Sequence, residues 1–473
     1  MFVRFVALLA GCLWAFAVSA QMLPAAVAEM MKKQGVRSED VSILVQAVDA
    51  EHPLVALNEE VFRHPASVAK LLTTAAGLLR MGADYRWETQ FFVDNMPDAN
   101  GVVNGNLYVV GGGDPFLVQE RFEEMVQGLR AAGVRHITGD IVMDNSLYRL
   151  SAAERDRESF DGAKWSAYNA VPDPLMVNFR TVKITIVPEG KGKARLEMYP
   201  QVMNWSLKNA LKVSAAACGK KTYAPDVRIA RDDRGYATVE IFGLYSTACG
   251  AQELQVVMGE ASEQFYYLFR DLWYAAGGSF DGAGQMAIRP STAKLVHTAY
   301  SLPLAEQIAK MNQLSNNVMT RQLMLTLGTY THGVPGSLES GRRALLDTLE
   351  AFGIPTEGMV VDNGSGLSRD TRVSATQLMI LLRNLYHSAQ AETFIQSLAV
   401  AGQNGTMEKR FRGEALAGRV YGKTGTVNNV RAFAGYVQAE SGRVYALVIM
   451  GNGKSALPSR YMQDDLIRWI YKQ

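Results

Sequence analysis

The chain has 473 residues, of which 48% are hydrophobic and 20% are charged, so it can bury large cores and is too long for one ordinary domain. Its 48 Lys and Arg residues almost balance its 46 Asp and Glu residues. Because this balance creates no strong overall field, composition favours neither nucleic acid nor an anionic membrane surface as a partner.

The first twenty residues have the pattern of a signal peptide. A basic start is followed by an apolar stretch at 5–16 and by small residues at 18–20 that suit cleavage. We therefore expect Gln21 to begin a secreted mature chain with no integral membrane span, since no other stretch reaches the ~18 apolar residues that a membrane helix needs. The segment that ends at Cys12 resembles a lipoprotein processing box, so lipid anchoring there is an alternative.

The N-terminal region predicts a hairpin followed by a buried helix. Residues 41–50 are apolar and β-branched, and residues 54–57 can pair with them after a polar break. Apolar side chains then recur at helical spacing over residues 66–81, and Gly82 follows as a typical helix end.

The middle of the chain predicts a β-rich insertion. Strand patterns separated by Gly, Asn and Asp turns occupy residues 88–93, 102–110, 137–143, 182–187 and 227–242. Helical patterns at 119–132 and 259–276 lie among them. The stretch 191–250 has its own hairpin signals and contains two cysteines, so it could form a small domain of its own.

Helical patterns return after residue 302, and the chain ends in two strands, 430–437 and 443–451, and a helix. The two terminal hairpins with their flanking helices would form one α/β core that the insertion splits. This predicts a domain of residues 21–84 and 288–473, an inserted second domain of 85–188 and 251–287, and a small β-rich third domain of 189–250 nested in the second.

Cysteine usage indicates one disulfide and no metal site. If Cys12 leaves with the signal peptide, Cys218 and Cys249 remain, and an even pair in an oxidising compartment favours a disulfide bond. The cysteines have no nearby pair of histidines, and the chain has no HExxH pattern. We expect neither a metal nor a cofactor.

Ser67-Val68-Ala69-Lys70, at the start of the first predicted helix, is the first group with catalytic potential. Serine and lysine one turn apart lie on one face of a helix, where an amine with a lowered pKa can activate the hydroxyl. The backbone N–H of Ser67 near a helix start would favour a developing oxyanion. The pattern is weak by itself, because Ser291 and Lys294 repeat the spacing.

Two further motifs strengthen the prediction. Ser315-Asn316-Asn317 lies between two helical patterns, and Lys423-Thr424-Gly425-Thr426 precedes the C-terminal hairpin. Each alone is equally typical of a helix cap or a turn. The order SxxK, SxN and KTG, each in a matching structural context, is much harder to obtain by chance.

With these motifs the chain resembles the serine penicillin-recognising superfamily, and within it the class C low-molecular-mass penicillin-binding proteins, which are D-alanyl-D-alanine carboxypeptidases and endopeptidases. The long gap between Lys70 and Ser315 matches the family's insertion, and residues 110–115 and 362–369 are similar to family signatures, with Asn363 as an extra residue. The resemblance implies an α/β (α+β) fold with an antiparallel sheet flanked by helices, a periplasmic location, peptidoglycan peptide stems as substrate and β-lactams as covalent inhibitors.

The resemblance also implies a role for each motif residue. Ser67 would be the nucleophile and Lys70 its base, Ser315 a proton shuttle, and Asn317 a donor to the peptide carbonyl. Lys423 would lower the pKa of Lys70 and attract the substrate carboxylate.

The remaining implied residues bind the substrate. Thr424, Gly425 and Thr426 would hold the carboxylate and complete the oxyanion hole. Arg369 would contact the substrate, and Asp161 would meet the ammonium of a diamino acid, unless it is only a turn-forming Asp-Gly.

Other functions fit the sequence less well. The chain has no GxSxG elbow, and its six histidines fall in turns or on unrelated elements, which disfavours a Ser-His-Asp hydrolase and makes structural or surface roles the ordinary interpretation. Gly111-Gly112-Gly113 lacks the Lys-Ser/Thr of a phosphate loop. Two alternatives stay open, namely a β-lactamase-like hydrolase on the same core and a non-catalytic protein that binds the cell wall.

Overall fold

The computed structural model describes residues 23–156, 162–190, 192–233 and 236–473. The predicted signal peptide with Cys12, and also Asp161, lie outside these described residues. Within them, no helix is both long enough and apolar enough to cross a membrane.

The α-helices of the described residues are α1 Ala25–Gln34, α2 Lys70–Met81, α3 Gln119–Ala131, α4 Ala152–Arg155, α5 Ala261–Ala275, α6 Leu304–Gln313, α7 Asn317–His332, α8 Leu338–Ala351, α9 Ala375–Tyr386, α10 Ala391–Gln396 and α11 Ala456–Tyr471. The predicted helix over 66–81 is therefore two elements, because a short 3₁₀ turn, Ala66–Ala69, precedes α2.

The strands are β1 Val41–Ala47, β2 Val55–Leu57, β3 Glu88–Val93, β4 Val102–Val103, β5 Leu107–Val110, β6 His136–Ile137, β7 Ile141–Asp144, β8 Thr181–Gly190, β9 Lys193–Tyr199, β10 Trp205–Ser214, β11 Ala224–Arg231, β12 Ala237–Ser246, β13 Gln252–Val257, β14 Ser279–Phe280, β15 Gly284–Met286, β16 Lys294–Tyr300, β17 Ala399–Val400, β18 Val420–Val427, β19 Val430–Gln438 and β20 Val444–Asn452.

The two ends of the chain form one antiparallel sheet of six strands in the order β17-β18-β19-β20-β1-β2. Every residue of β1 is buried, because both faces of the sheet are covered. Leu44 packs with α2 and α6 to α9 on one face, whereas Ile43 and Val45 pack with α1 and α11 on the other. Successive strand residues point to opposite faces, so β1 contributes to both hydrophobic clusters.

The insertion has its own hydrophobic cluster, built around a five-stranded sheet in the order β15-β7-β5-β3-β16 with α3 and α5. The smaller sheets β13-β8-β9 and β10-β12-β11 contribute to the same cluster. The division into domains stays a proposal. Because β16 pairs with β3, we propose that the insertion extends to about residue 300 rather than to 287.

Cys218 and Cys249 form a disulfide bond, with sulfur atoms 2.09 Å apart and Cα atoms 4.9 Å apart. Strand pairing explains how residues separated by 31 positions meet. Strands β10 and β12 run parallel and in register, with Ser214 opposite Ser246. The segments that follow these two strands therefore start side by side, and each carries one cysteine.

Candidate active site

The 3₁₀ turn Ala66–Ala69 and the first residue of α2 place Ser67 beside Lys70. The tight turn keeps residues three apart on the same side. The Nζ atom of Lys70 lies 3.0 Å from the Oγ atom of Ser67, within hydrogen-bonding distance. The predicted nucleophile and base therefore meet in the structure.

Lys70 is fully buried and has two further polar partners. Its Nζ atom lies 2.6 Å from Oδ1 of Asn317 and 2.6 Å from the carbonyl oxygen of Ser365. Burial, and secondly the charge of Lys423, hold the pKa of Lys70 well below its ordinary value of 10.5. A neutral amine in contact with the Ser67 hydroxyl can accept its proton, which an ordinary ammonium cannot do.

The second motif lies at the start of α7. The side chain of Asn316 caps this helix by accepting a hydrogen bond from the backbone N–H of Met319, 3.1 Å away. This cap directs the neighbouring Asn317 toward the site, where its Oδ1 contacts Lys70 and its Nδ2 donates to the carbonyl of Tyr168 at 3.3 Å. Capping of α7 and the contact with Lys70 thus belong to different residues of the motif.

The third motif lies in strand β18 rather than in a turn. Strand β17 pairs with β18 only at Tyr421 and Gly422, so among the described residues no strand pairs with the remainder of this edge of β18. A Cβ at Gly425 would lie 2.7 Å from the carbonyl oxygen of Pro65 and 3.2 Å from the backbone nitrogen of Ser67. Glycine therefore lets this strand edge approach the nucleophile closely.

Lys423 is fully buried next to this edge and donates to the carbonyl oxygen of Thr424 at 2.9 Å. Burial lowers its pKa from 10.5 to about 7. Among the described residues, no carboxylate forms an ion pair with either Lys70 or Lys423. Neither buried amine is therefore stabilised in its charged form by a carboxylate partner, which agrees with the lowered pKa of both lysines.

A cleft of about 320 Å³ opens over these groups. It is lined by Ser67, Tyr168, Ser315, Asn317, Gly366, Leu367, Arg369, Thr426, Val427 and Asn428. Arg369 stands at its wall and donates to the carbonyl oxygen of Asn428 at 3.1 Å. Ser315 adopts a left-handed backbone conformation with φ 58°, a strained geometry of the kind that functional sites retain.

Of the predicted site residues, Ser67, Ser315, Asn317, Arg369 and Thr426 line this cleft, whereas Lys70, Lys423 and Gly425 are buried and do not line it. Thr424 lies outside the lining, and its hydroxyl contacts that of Thr406 at 2.8 Å. Asp161 belongs to the part of the chain that the structure does not describe. The second SxxK is elsewhere, because Ser291 is exposed in the turn before β16 and Lys294 is exposed at the start of that strand.

Sequence reasoning did not predict the contacts of three residues at the site. Ser365 lies in the segment 362–369 that resembles a family signature, but the bond between its backbone carbonyl and Lys70 has no sequence signal. Tyr168 reaches the cleft from the insertion, and only the fold brings it there. His64 was given a structural or surface role with the other histidines, and its ring bonds the backbone N–H of Ala66 beside Ser67.

Metal binding has no support in the geometry. Among the described residues, no three His, Cys, Asp or Glu side chains are grouped as metal ligands require.

The chain is similar to known proteins over most of its length. The model of the D-Ala-D-Ala carboxypeptidase 3 (S13) family matches residues 23–473. The chain is 30% identical to a D-alanyl-D-alanine carboxypeptidase of Actinomadura sp. over 426 residues, which are 85% of this chain and 75% of the relative. It is 22% identical to the carboxypeptidase DacB of Haemophilus influenzae over 441 residues, 91% of this chain and 89% of the relative.

Solved structures share the fold. Penicillin binding protein 4 of Haemophilus influenzae superposes with a TM-score of 0.78 at 20% identity, covering 96% of this chain and 100% of that one. A penicillin G-acylated predatory endopeptidase of Bdellovibrio bacteriovorus superposes with a TM-score of 0.51 at 16% identity, covering 91% and 92%. The predicted fold class, a penicillin-binding core with an added β-rich insertion, is confirmed.

Proposed function

Because the chain belongs to the D-Ala-D-Ala carboxypeptidase 3 family, as its three motifs predicted, we propose that it is a serine DD-peptidase. It cleaves the D-alanyl-D-alanine end of peptidoglycan stems, and D-alanyl cross-links to a diamino acid, through an acyl-enzyme on Ser67. The observation that carries the proposal is the buried Lys70 amine 3.0 Å from the Ser67 hydroxyl, with its pKa well below the ordinary value.

In the acylation step, Lys70 takes the proton of Ser67 while Oγ attacks the carbonyl carbon of the penultimate D-alanine. The backbone N–H groups of Ser67 and Thr426 stabilise the resulting oxyanion. The C–N bond then breaks, and the proton passes by way of Ser315 to the amine of the leaving group. Asn317, already held by Lys70, orients the peptide carbonyl.

Deacylation repeats these steps with water as the nucleophile. Lys70 accepts a proton from the water as it attacks the ester carbon of the acyl-enzyme. The ester C–O bond breaks, and the proton returns to Oγ of Ser67, which frees the shortened stem peptide. The enzyme ends in its starting protonation state, so the net reaction is hydrolysis of one amide bond.

The cleft favours slow deacylation of β-lactam adducts. Among its described lining residues there is no Asp or Glu to serve as a dedicated base for a hydrolytic water. A β-lactamase needs such a base to clear penicilloyl-enzyme quickly, so the structure favours a peptidase that penicillins inhibit covalently. A non-catalytic wall-binding role is disfavoured by the hydrogen bond between Lys70 and Ser67.

The proposed substrate recognition depends on charged groups. The charge of Lys423 and the Thr426 hydroxyl would attract the terminal carboxylate of a carboxypeptidase substrate, whereas the Thr424 hydroxyl is bonded to that of Thr406 outside the cleft lining. Asp161 would bind the side-chain ammonium of the diamino acid, and Arg369 its anionic groups. Tyr168, which the insertion contributes to the cleft, supports a role of the insertion in binding the stem peptide.

The location proposed for this activity is the periplasm, where the wall substrate is found. Export would depend on the predicted signal peptide of residues 1–20. Growth of cells that express the chain with a C-terminal tag, followed by osmotic release, tests this proposal. Tagged protein that starts at Gln21 in the periplasmic fraction supports export, whereas an intact N-terminus in the cytoplasm refutes it.

Mass spectrometry after brief exposure to a penicillin tests the function. We expect a lasting adduct on Ser67 of the wild-type protein, and release of D-alanine from a pentapeptide stem. Ser67→Ala should lose both, whereas Ser291→Ala, which removes the exposed second SxxK serine, should keep both. Rapid loss of the adduct would identify a β-lactamase, and no adduct on folded wild-type protein would identify a non-catalytic scaffold.

A further inference from the structure

The side chain of Asn452 holds the backbone of His64 in place. Its N–H donates to Oδ1 of Asn452, at the end of β20, over 3.1 Å, and its carbonyl accepts from Nδ2 of the same side chain over 3.2 Å. Its ring is buried, with 5% of the residue exposed. The imidazole therefore has little freedom to change its position.

Both ring nitrogens of His64 bond to backbone groups of the site. The N–H of Ala66 lies 2.9 Å from Nδ1, and the carbonyl oxygen of Ser368 lies 2.8 Å from Nε2. An amide N–H can only donate and a carbonyl can only accept. The two bonds together therefore require a neutral ring with its hydrogen on Nε2.

The first of these bonds holds the nucleophile turn. Ala66 directly precedes Ser67 and has φ 47°, in the left-handed region that side chains with a Cβ disfavour. Such a conformation costs on the order of 1 kcal/mol or more and persists only where its surroundings hold it. The hydrogen bond from Ala66 to Nδ1 of His64 is the contact that the structure offers for this purpose.

The second bond holds the segment that orients the base. Residues 364–368 provide the carbonyl of Ser365 that binds Lys70 at 2.6 Å, and the carbonyl of Gly364 that accepts from Thr73 at 2.8 Å. This segment passes so close to the nucleophile turn that a Cβ at Gly366 would lie 1.8 Å from the carbonyl oxygen of Ala66. The His64 ring ties the two together.

We propose that His64 is a positioning residue for acyl transfer. In its neutral Nε2–H form, its ring holds the Ser67 turn and the segment with the Ser365 carbonyl, which binds Lys70, in a fixed position relative to each other. It does not touch the substrate and acts through Ala66 and Ser368. The proposal rests on the proposed peptidase function, because its effect is measured on the acylation of Ser67.

Protonation would break this link. A hydrogen added to Nδ1 would point at the N–H of Ala66, so the hydrogen bond would become a repulsion. Burial first, and then the charges of Arg369 and Arg372, lower the pKa of His64 below its ordinary 6.5, although the bond to the Ser368 carbonyl acts in the other direction. The ring therefore stays neutral at neutral pH, and the link opens only under acid conditions.

Three variants separate the two hydrogen bonds. His64→Ala removes both, His64→Asn keeps an acceptor near the position of Nδ1, and His64→Gln keeps a donor near that of Nε2. His387→Ala is the control, because this exposed histidine also bonds a carbonyl, that of Val48 at 3.0 Å, but lies outside the cleft. For each variant, the rate of penicillin acylation is divided by the amount of active site that penicillin labels. Unfolded protein therefore does not lower the measured rate.

We expect His64→Ala to acylate about 10- to 100-fold more slowly than wild type, the loss typical of a nucleophile displaced by a fraction of an ångström to an ångström. His64→Asn should recover to within about fivefold of wild type, whereas His64→Gln should stay impaired. The change should appear in the limiting acylation rate rather than in the half-saturating penicillin concentration. His387→Ala should match wild type.

Nitrogen-15 spectra of histidine-labelled wild-type protein provide a readout that is independent of activity. The His64 signals should show the Nε2–H tautomer at neutral pH. An Nδ1–H tautomer or a charged ring at neutral pH would overturn the proposal, as would wild-type acylation by His64→Ala or equal impairment of the Asn and Ala variants. If wild type itself were never acylated, the proposed function would fail instead, which the same assay reveals.

Discussion

Replacing Lys423 by methionine should stabilise the catalytic domain while it removes activity. A fall of the pKa from 10.5 to about 7 in the folded state, at 1.36 kcal/mol for each tenfold change in the proton equilibrium, corresponds to about 5 kcal/mol of destabilisation. Methionine fills a similar volume without this cost, but it gives up the hydrogen bond to the Thr424 carbonyl, about 1 kcal/mol. We expect a net gain of about 2 to 4 kcal/mol.

The pH dependence of this gain identifies its cause. Below about pH 7, Lys423 is charged in both the folded and the unfolded chain, so the full cost of burying the charge is present. Between about pH 7 and 10.5 the unfolded chain binds the proton more often than the folded chain, so the stability of the wild type rises with pH. Above about pH 10.5 the side chain is neutral in both states and the cost is absent.

Thermal unfolding at about pH 6 and pH 10 measures both effects. The midpoint of Lys423→Met should exceed that of wild type at pH 6, and the difference should shrink toward zero or reverse at pH 10. Lys454→Met, at an exposed lysine, controls for the change of side chain and should show neither effect. A methionine variant that is less stable than wild type at pH 6, or one with the same advantage at both pH values, would refute the reasoning.

Removal of the Lys423 charge should also change the pH dependence of acylation, because that charge acts on Lys70. Because the charge of Lys423 helps to depress the pKa of Lys70, its removal should raise that pKa and move the acid limb of the acylation profile to higher pH. Any residual penicillin acylation of the methionine variant, measured against pH, reveals this shift. An acid limb at the wild-type position would mean that Lys423 has no electrostatic effect on the base.

Three further changes test other parts of the structure. Gly366→Ala should slow acylation at least about 100-fold, because its Cβ would lie 1.8 Å from the carbonyl oxygen preceding the nucleophile, whereas Gly442→Ala, at a similar φ with open space around it, should not. Converting Cys218 and Cys249 to serine should destabilise the insertion by about 3 to 4 kcal/mol in calorimetry, with penicillin acylation unchanged; equal stability would contradict this. Asp161→Asn should lower hydrolysis of substrates with a free side-chain amine ten- to hundredfold, about 1.5 to 3 kcal/mol, and spare penicillin acylation; equal losses on both would indicate misfolding.

The core of the catalytic domain could be predicted because its elements obey local rules. The helical spacing that ends at Gly82 and the two terminal hairpins gave elements within a few residues of those observed. Strand β18 was missed for an equally physical reason. Its sequence, Val420–Val427, contains two glycines and a lysine, which lower strand propensity, and only pairing with β19 holds it extended. The KTG motif therefore looked like a turn.

The fold of the insertion was harder to predict, because its strands are short and several pair with strands that are distant in the sequence. The hairpin signals at 189–190 and 232–235 fall at the end of β8, before β9, and between β11 and β12, but the extents of β9 and β10 were not predicted. The parallel pairing of β10 with β12, on which the disulfide depends, leaves no local pattern. Alternation of side chains predicts a strand but not its partner.

The motif residues alone do not account for the geometry of the site, because backbone groups outside the motifs also hold it. Side-chain chemistry identified Ser67 and Lys70, but the amine is oriented by the carbonyl of Ser365 as well as by Asn317, and any residue type can supply a carbonyl. The same holds for His64, whose partners are both backbone groups. A serine activated by a lysine needs that lysine neutral, and every buried group that bonds the amine influences how readily it gives up its proton. We therefore expect the backbone path of residues 364–368 to influence the reactivity of Ser67 through Lys70, so substitutions that shift this path should move the pH profile of penicillin acylation.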